Sequence, residues 1–173
     1  MLATAFISRE LIAAEGATAT TVAGAAGALG AVTGFLAANA VRRRVAPVSI
    51  VTTALFLGGA GMLAFGGIIN LLGISLMAFA VGLSFFLGKV GVDTMMQEAL
   101  SDSFRGRGFS LQDIAYNFSW IIPATILFLF LSQDAARVVM IAAGVVFLGL
   151  AVLLRLWARS VRRTDPEAAD AEG

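Results

Sequence analysis

The 173 residues are 59% hydrophobic and only 13% charged, with a mean hydropathy of +0.91, where a soluble domain carries about 25% charged residues. A chain this apolar has too little polar surface to face water, so it is read as an integral membrane protein, and its net charge of +1 implies no nucleic-acid partner. It contains no cysteine and no histidine, which excludes disulfides, thiolate nucleophiles, Ser-His-Asp chemistry and His- or Cys-ligated metal or haem.

A backbone crossing lipid must satisfy its own hydrogen bonds, so it spans as helices or as a closed barrel. Barrel strands show roughly ten-residue alternation, whereas the apolar runs here are about twice that and unbroken, which selects helices. The opening MLATAFISRE has no basic n-region and only a short apolar stretch before Arg9, so it reads neither as a secretory signal nor as a span. Five spans follow, from about Thr18 to Val41, Pro47 to Gly67, Asn70 to Val92, Leu111 to Leu131 and Arg137 to Trp157. The charged stretch 159–173, with Pro166, is expected to be a disordered tail.

The first span carries Gly24, Gly27, Gly30 and Gly34 at steps of three and four, which predicts a close-packing helix face. That face serves either static packing or a surface on which another helix slides. The second span has only Ser49, Thr52 and Thr53 near one end, and the fifth has no polar side chain from Val138 to Leu154, so both suit lipid-facing positions.

The third span runs into a polar interval, Lys89 to Asp113, that holds Lys89, Asp93, Glu98, Asp102, Arg105, Arg107 and Asp113. Lys89 and Asp93 are four apart on one helix face. Arg105-Gly106-Arg107-Gly108 predicts a basic turn, and Ser110 with Asp113 predicts a capping box opening the fourth span. The interval is either a solvated loop or a gate at the mouth of a transport path. If it is a gate, Asp93 is expected to meet Arg105 or Arg107 folding back from the turn. The fourth span places Asp113, Tyr116, Asn117 and Trp120 on one side, with Pro123 predicting a kink. Tyr116 and Trp120 suit an interfacial belt as well as a path, and Asn117 suits a bridge between helices. Asp134 is placed to cap the fifth helix.

Arg42, Arg43 and Arg44, then Lys89, Arg105 and Arg107, then Arg155, Arg159, Arg162 and Arg163 fall at one end of the alternating spans, and only Arg9 and Arg137 at the other. Basic residues mark the cytoplasmic side, so the N-terminus is expected outside and the C-terminus inside.

This pattern resembles the C-terminal half of a major facilitator superfamily transporter of the bacterial drug or siderophore exporter type. The resemblance covers residues 1 to about 163. Its most specific piece is Phe104-Arg105-Gly106-Arg107 followed by Phe109-Ser110-Leu111, within Leu87 to Asn117, which looks like the linker between that fold's tenth and eleventh helices. Phe6 to Leu11, FISREL, looks like the outer end of its seventh helix, and the five spans look like its eighth to twelfth. Gly34-Phe35-Leu36 and Arg42-Arg43 echo the family's loop signature, with Ala38 where the signature acid stands.

The resemblance implies residues 1–17 as an outer segment with the remnant of a preceding helix, 18–158 as a five-span all-α domain forming half of a twelve-helix bundle, and 159–173 as the tail. It implies a fragment or split half of a secondary active transporter that exports a small molecule by alternating access from a bacterial inner membrane. The first, third and fourth spans would line the path. Path or gate candidates are Lys89, Asp93, Arg105, Arg107, Asp113, Tyr116, Asn117 and Trp120. Partners would be the lipid bilayer and either a matching N-terminal half or a second copy. The alternative is a non-transporting membrane scaffold. Neither reading calls for a cofactor, a metal or enzymatic chemistry.

Overall fold

The structure is a computed structural model that describes residues 16–164 except 69, 131 and 132. Within its helices only the backbone is described at 16, 17, 19, 119, 120, 122–124, 126–130, 133–137 and 161–164. Among the described residues the elements are five helices: α1 Gly16–Val41, α2 Pro47–Phe65, α3 Leu71–Ala99, α4 Asp102–Phe130 and α5 Gln133–Thr164. Phe6 to Leu11 and 165–173 lie outside the described residues, and 159–164, expected as tail, is helical.

Local chemistry sets the helix ends. Pro47 opens α2 at a position where its missing N–H removes no intrahelical bond. Asn70 caps α3 by accepting a hydrogen bond from the Gly73 N–H at 2.7 Å, and Gly66 closes α2 through its N–H to the Met62 carbonyl at 2.8 Å. Many polar side chains inside the helices are satisfied on their own helix. Thr33, Asn39, Thr52, Thr53, Thr94 and Thr125 each donate to the carbonyl four residues back.

The basic Arg105-Gly106-Arg107-Gly108 sequence is not a turn. It lies inside α4, and the chain breaks earlier, at Leu100, whose backbone is extended at φ −100°, ψ 130°. Two glycines cost a helix roughly 1 kcal/mol each. Several bonds offset that cost here. The Phe104 and Arg105 N–H groups bond the Ser101 carbonyl, and Asp102 sits in the first turn where the helix dipole favours an acid. The Arg105 guanidinium also reaches back to the Leu100 and Gln97 carbonyls at 3.2 and 3.0 Å, closing the end of α3. Ser110, expected as a cap, instead donates to the Gly106 carbonyl at 2.9 Å within α4. The same helix runs through position 123 without interruption.

Helix α3 is central. From Met77 to Met96 none of its residues is exposed. It packs on α1 along one side and α2 along another, and α2 in turn packs on α5, while α4 touches α3 only sparsely. The contacts are of backbone on backbone. A Cβ on Gly30 would meet the Phe79 carbonyl, one on Gly34 the Leu83 carbonyl and one on Gly82 the Gly27 carbonyl. Gly27 itself lies against Ala78, at 3.5 Å from a built Cβ. The α1 seam is therefore Ala23, Gly27, Gly30, Gly34 and Ala38. Gly24, grouped with these glycines by its spacing, faces open space. At about 100° per residue it sits roughly 120° around the helix from Gly30, whereas Ala23 is about 20° away.

Helix α2 does not face lipid all round, although it exposes Phe56, Leu57 and Leu63. It buries Ile50, Ala54, Gly58, Gly59 and Gly61 between two neighbours. Gly61 and Gly58 face Ala80 and Ser84 of α3, and the buried Ser84 hydroxyl donates to the Ala54 carbonyl at 2.6 Å. On the other side Gly59 meets Gly144 and Leu148 of α5. Ala38, Ile50, Ala54 and Leu87 form a buried cluster where α1, α2 and α3 converge. Helix α5 does keep an exposed apolar flank, including Val138, Val145, Val146, Val152 and Leu153.

These pairings run α1 parallel to α3, α2 antiparallel to α3 and α5, and α4 antiparallel to α3. Arg42–Arg44, Lys89, Arg105, Arg107, Arg155 and Arg159 consequently gather at one end of the bundle.

Replacing Gly34 by valine, or Gly30 by alanine, sets a side chain on a backbone carbonyl that cannot move without separating two helices. We expect a loss of about 1–3 kcal/mol, the range for overpacking, read as a lowered thermal midpoint in detergent. Gly24→Ala should leave the midpoint unchanged or raise it slightly.

Candidate functional site

The third helix continues to Ala99 rather than ending near Val92, so Lys89 and Asp93 lie well inside it. Because α4 begins at Asp102, its face at Gly108, Gln112 and Tyr116, spaced by four, turns toward α3. Gly108 meets Leu100 and Met96, so the helices approach closely there, and the polar groups follow one and two turns on.

Asp93 sits at the centre. One carboxylate oxygen accepts from Gln112 Nε2 at 2.7 Å, and the other faces Lys89 Nζ at 3.6 Å. Lys89 Nζ also stands 5.0 Å from the Tyr116 ring centroid. The Tyr116 ring packs edge-on to Phe85 with centroids 5.8 Å apart, and Phe85 packs edge-on to Phe86 at 5.3 Å. Four side chains from two helices thus form one cluster over an aromatic base.

Magnitudes rank these contacts. The lysine-then-acid order is the weaker one within a helix, and the two side chains are 34% and 28% exposed, so the ion pair contributes well under about 1 kcal/mol. The cation over Tyr116 adds about 0.5–1 kcal/mol. The Gln112–Asp93 bond is charge-assisted and joins two helices, which makes it the strongest link between α3 and α4. A carboxylate only accepts, so the amide nitrogen must face Asp93. That turns Gln112 Oε1 the other way, buried and without a partner among the described residues. The cluster therefore has an unused acceptor.

The sequence candidates divide accordingly. Lys89, Asp93 and Tyr116 come together. Asp93 does not meet Arg105 or Arg107: Arg105 pairs with Asp102 at 2.7 Å and caps α3, while Arg107 is exposed on α4. Asp113 and Asn117 lie about 60° and 100° around α4 from Tyr116, on the side away from Gln112. Both are exposed, and Asn117 donates to the Asp113 carbonyl at 2.8 Å. The Trp120 side chain lies outside the described residues. Gln112 and Phe85 were missed. Gln112 stands four residues before Tyr116, a signal hidden by placing the start of the helix at Ser110. Ser103, Gly106, Ser110, Asp113 and Asn117 form an exposed stripe of small and polar residues along α4, turned away from α3.

Compared with family models, curated proteins and solved structures, the chain matches none. Its class rests on the fold: the helices Thr20–Val41, Pro47–Phe65, Leu71–Ala99 and Val138–Ser160 are each long and apolar enough to cross a membrane. The protein is an all-α, multi-pass membrane protein in contact with the lipid bilayer. The expected span 111–131 falls within α4 as far as position 130, with side chains from position 119 on mostly undescribed, and 131 lies outside the described residues.

If Gln112 and Asp93 carry the α3–α4 junction, Gln112→Leu should speed amide hydrogen exchange across 102–118. The expected loss is about 1 kcal/mol, discounted from the usual charged hydrogen bond because Asp93 is partly exposed. Asp93→Asn, which keeps an acceptor, should act less than Asp93→Leu, and Arg107→Gln should have no effect.

Proposed function

We propose that the chain is one half of a secondary active transporter that exports a small molecule by alternating access, in the manner of a major facilitator superfamily permease. One observation carries this reading. Among the described residues, helix α4 is joined to the bundle by a narrow polar junction on α3, and away from that junction it exposes Ser110, Asp113 and Asn117 beside Ile114 and Phe118. A charge facing hydrocarbon costs up to about 3 kcal/mol at mid-membrane on insertion scales, and less toward the interface. Level with Lys89 and Asp93 at the end of the span, such a stripe suits the mouth of a water-filled cavity whose other wall is supplied by a second half. The loosely held α4 suits the moving side of that wall. The tight α1–α3–α2–α5 array suits the rigid body it moves against.

The reading departs from the family at one place. Ala38 stands where the loop signature has an acid, and it is fully buried against Ile50, Ala54 and Leu87, so an acid-based lock there is not part of the proposal. We assign no enzymatic chemistry to the chain. Its residence in a bacterial inner membrane, with the basic end cytoplasmic, belongs to the same proposal.

Photo-crosslinkers at positions 113 and 117, in membranes of the expressing cell, should capture a second membrane polypeptide or a second copy of this chain. Adducts with lipid alone would refute the cavity and favour a scaffold. The purified chain reconstituted without its other wall should move no solute, and solute flux by the isolated monomer would refute the half-transporter reading.

Orientation is tested separately. Gly106, where an added side chain meets nothing within 4 Å, should accept a cysteine that escapes impermeant labelling in intact cells, whereas Ile68→Cys at the opposite end should label. The reverse pattern would invert the topology.

A further inference from the structure

At the basic end, the last turn of α1 and the end of α3 flank an open depression of about 390 Å³ lined by Arg42, Arg43, Thr94, Gln97 and Glu98. Arg42 continues the helical bonding, with its N–H on the Ala38 carbonyl at 2.9 Å, so both guanidiniums project from a helix C-terminus where cations are favoured. The ion pairs among the described residues are Lys89–Asp93 and Asp102–Arg105, which leaves Arg42, Arg43 and Glu98 unneutralised around the hollow. The Thr94 hydroxyl already donates to the Val90 carbonyl at 2.8 Å, so the remaining donors are the two guanidiniums and the Gln97 amide. Three donors, two of them planar and charged, thus line the same hollow, and planar guanidiniums are suited to a phosphate.

The surroundings decide what carries that phosphate. Arg42 follows directly on a helix long enough to span a membrane. The same helix exposes Phe35, Leu36 and Val41, and Val45 just beyond it is exposed too. A phosphate seated in the depression would have an apolar surface running from it along α1, which a free anion does not use and an acyl chain does. We propose that the depression between the ends of α1 and α3 binds the phosphodiester headgroup of an anionic phospholipid, with Arg42, Arg43 and Gln97 as donors. Glu98 at the rim opposes the headgroup's charge and keeps its residence short. The site requires only that these helices lie in a membrane, and it stands whether or not the chain is half of a transporter.

The test is native mass spectrometry of the full chain in detergent, titrated with phosphatidylglycerol and, separately, phosphatidylcholine. Phosphatidylglycerol should bind in preference. Arg42→Gln and Arg43→Gln should each weaken it about fivefold, the usual effect of one basic residue on an anionic lipid. Glu98→Gln should strengthen it by a comparable factor, and raised salt should weaken it. Arg44→Gln removes the same charge outside the lining and should change binding less than about twofold. These residues are on the surface, so variants are compared only where helicity and detergent-complex size match the parent.

Equal losses from Arg44→Gln and Arg42→Gln would reduce the site to diffuse charge and overturn the proposal. Unchanged binding in the Arg42→Gln/Arg43→Gln double variant would overturn it as well. Displacement of the lipid by millimolar inorganic phosphate would mark a free-anion site, and phosphatidylcholine binding that equals phosphatidylglycerol binding and falls in Glu98→Gln would mark recognition of a headgroup cation. Either result overturns the assignment to an anionic lipid.

Discussion

The bundle depends on how near its helix backbones can come to one another. In lipid there is no hydrophobic gain from pressing one apolar helix against another, since the acyl chains are as apolar as leucine. What remains is dispersion between closely fitted surfaces and the rare interhelical hydrogen bond. Helix α3 is held on both sides in this way, by Gly27, Gly30 and Gly34 of α1 and by Gly58 and Gly61 of α2, and α2 repeats the device against Gly144 of α5. The Ser84–Ala54 bond is the one buried polar link in that array among the described residues. Its geometry depends on Gly58, because any side chain there would occupy the position of the serine hydroxyl.

Helix α4 is held by different forces. It has one close glycine contact with α3, at Gly108, and then charge-assisted and aromatic contacts through Asp93, Gln112, Lys89 and Tyr116. Polar contacts of this kind exchange readily with water or with another donor, whereas interlocked backbones do not. The bundle thus combines a rigid slab with a helix whose attachment is open to competition, and the unused Gln112 oxygen lies within that attachment. The outer face of α4 mixes a polar stripe with exposed Ile114, Phe118 and Ile121, whereas the exposed flank of α5 from Val138 to Leu153 is apolar throughout.

Membrane character and the five helices were legible in the sequence because long apolar runs are a strong signal, and four of those helices are long and apolar enough to span. The close-packing face of α1 was legible for Gly27, Gly30 and Gly34, since a seam repeats at three and four. Gly24 fitted the spacing arithmetic but not the rotation. The glycines at 58, 59 and 61 carried the same message for α2 and were outweighed by the apolar look of that span. The polar interval was misread because glycine weakens a helix on its own, while the bonds from Ser101, Asp102 and Arg105 that hold it helical depend on where the chain breaks. That error moved the start of α4 by about two turns. It thereby hid the Gly108–Gln112–Tyr116 face and sent Asp93 toward the wrong partners.

The length of α3 has a further consequence. Its 29 residues reach about 43 Å, roughly 13 Å more than the hydrocarbon thickness of a bilayer. With Asn70 anchored at one surface, the far boundary falls about 30 Å along the axis, close to Lys89, and Asp93 lies one turn beyond it. The charged pair therefore works as a float line. Tilting the helix, or thickening the membrane by one helical turn, would draw both charges into the acyl region, and thinning it would strip lipid from Phe85 and Phe86. A hydrocarbon layer of about 30 Å measured from Asn70 thus ends at the same side chains that fasten α4 to α3.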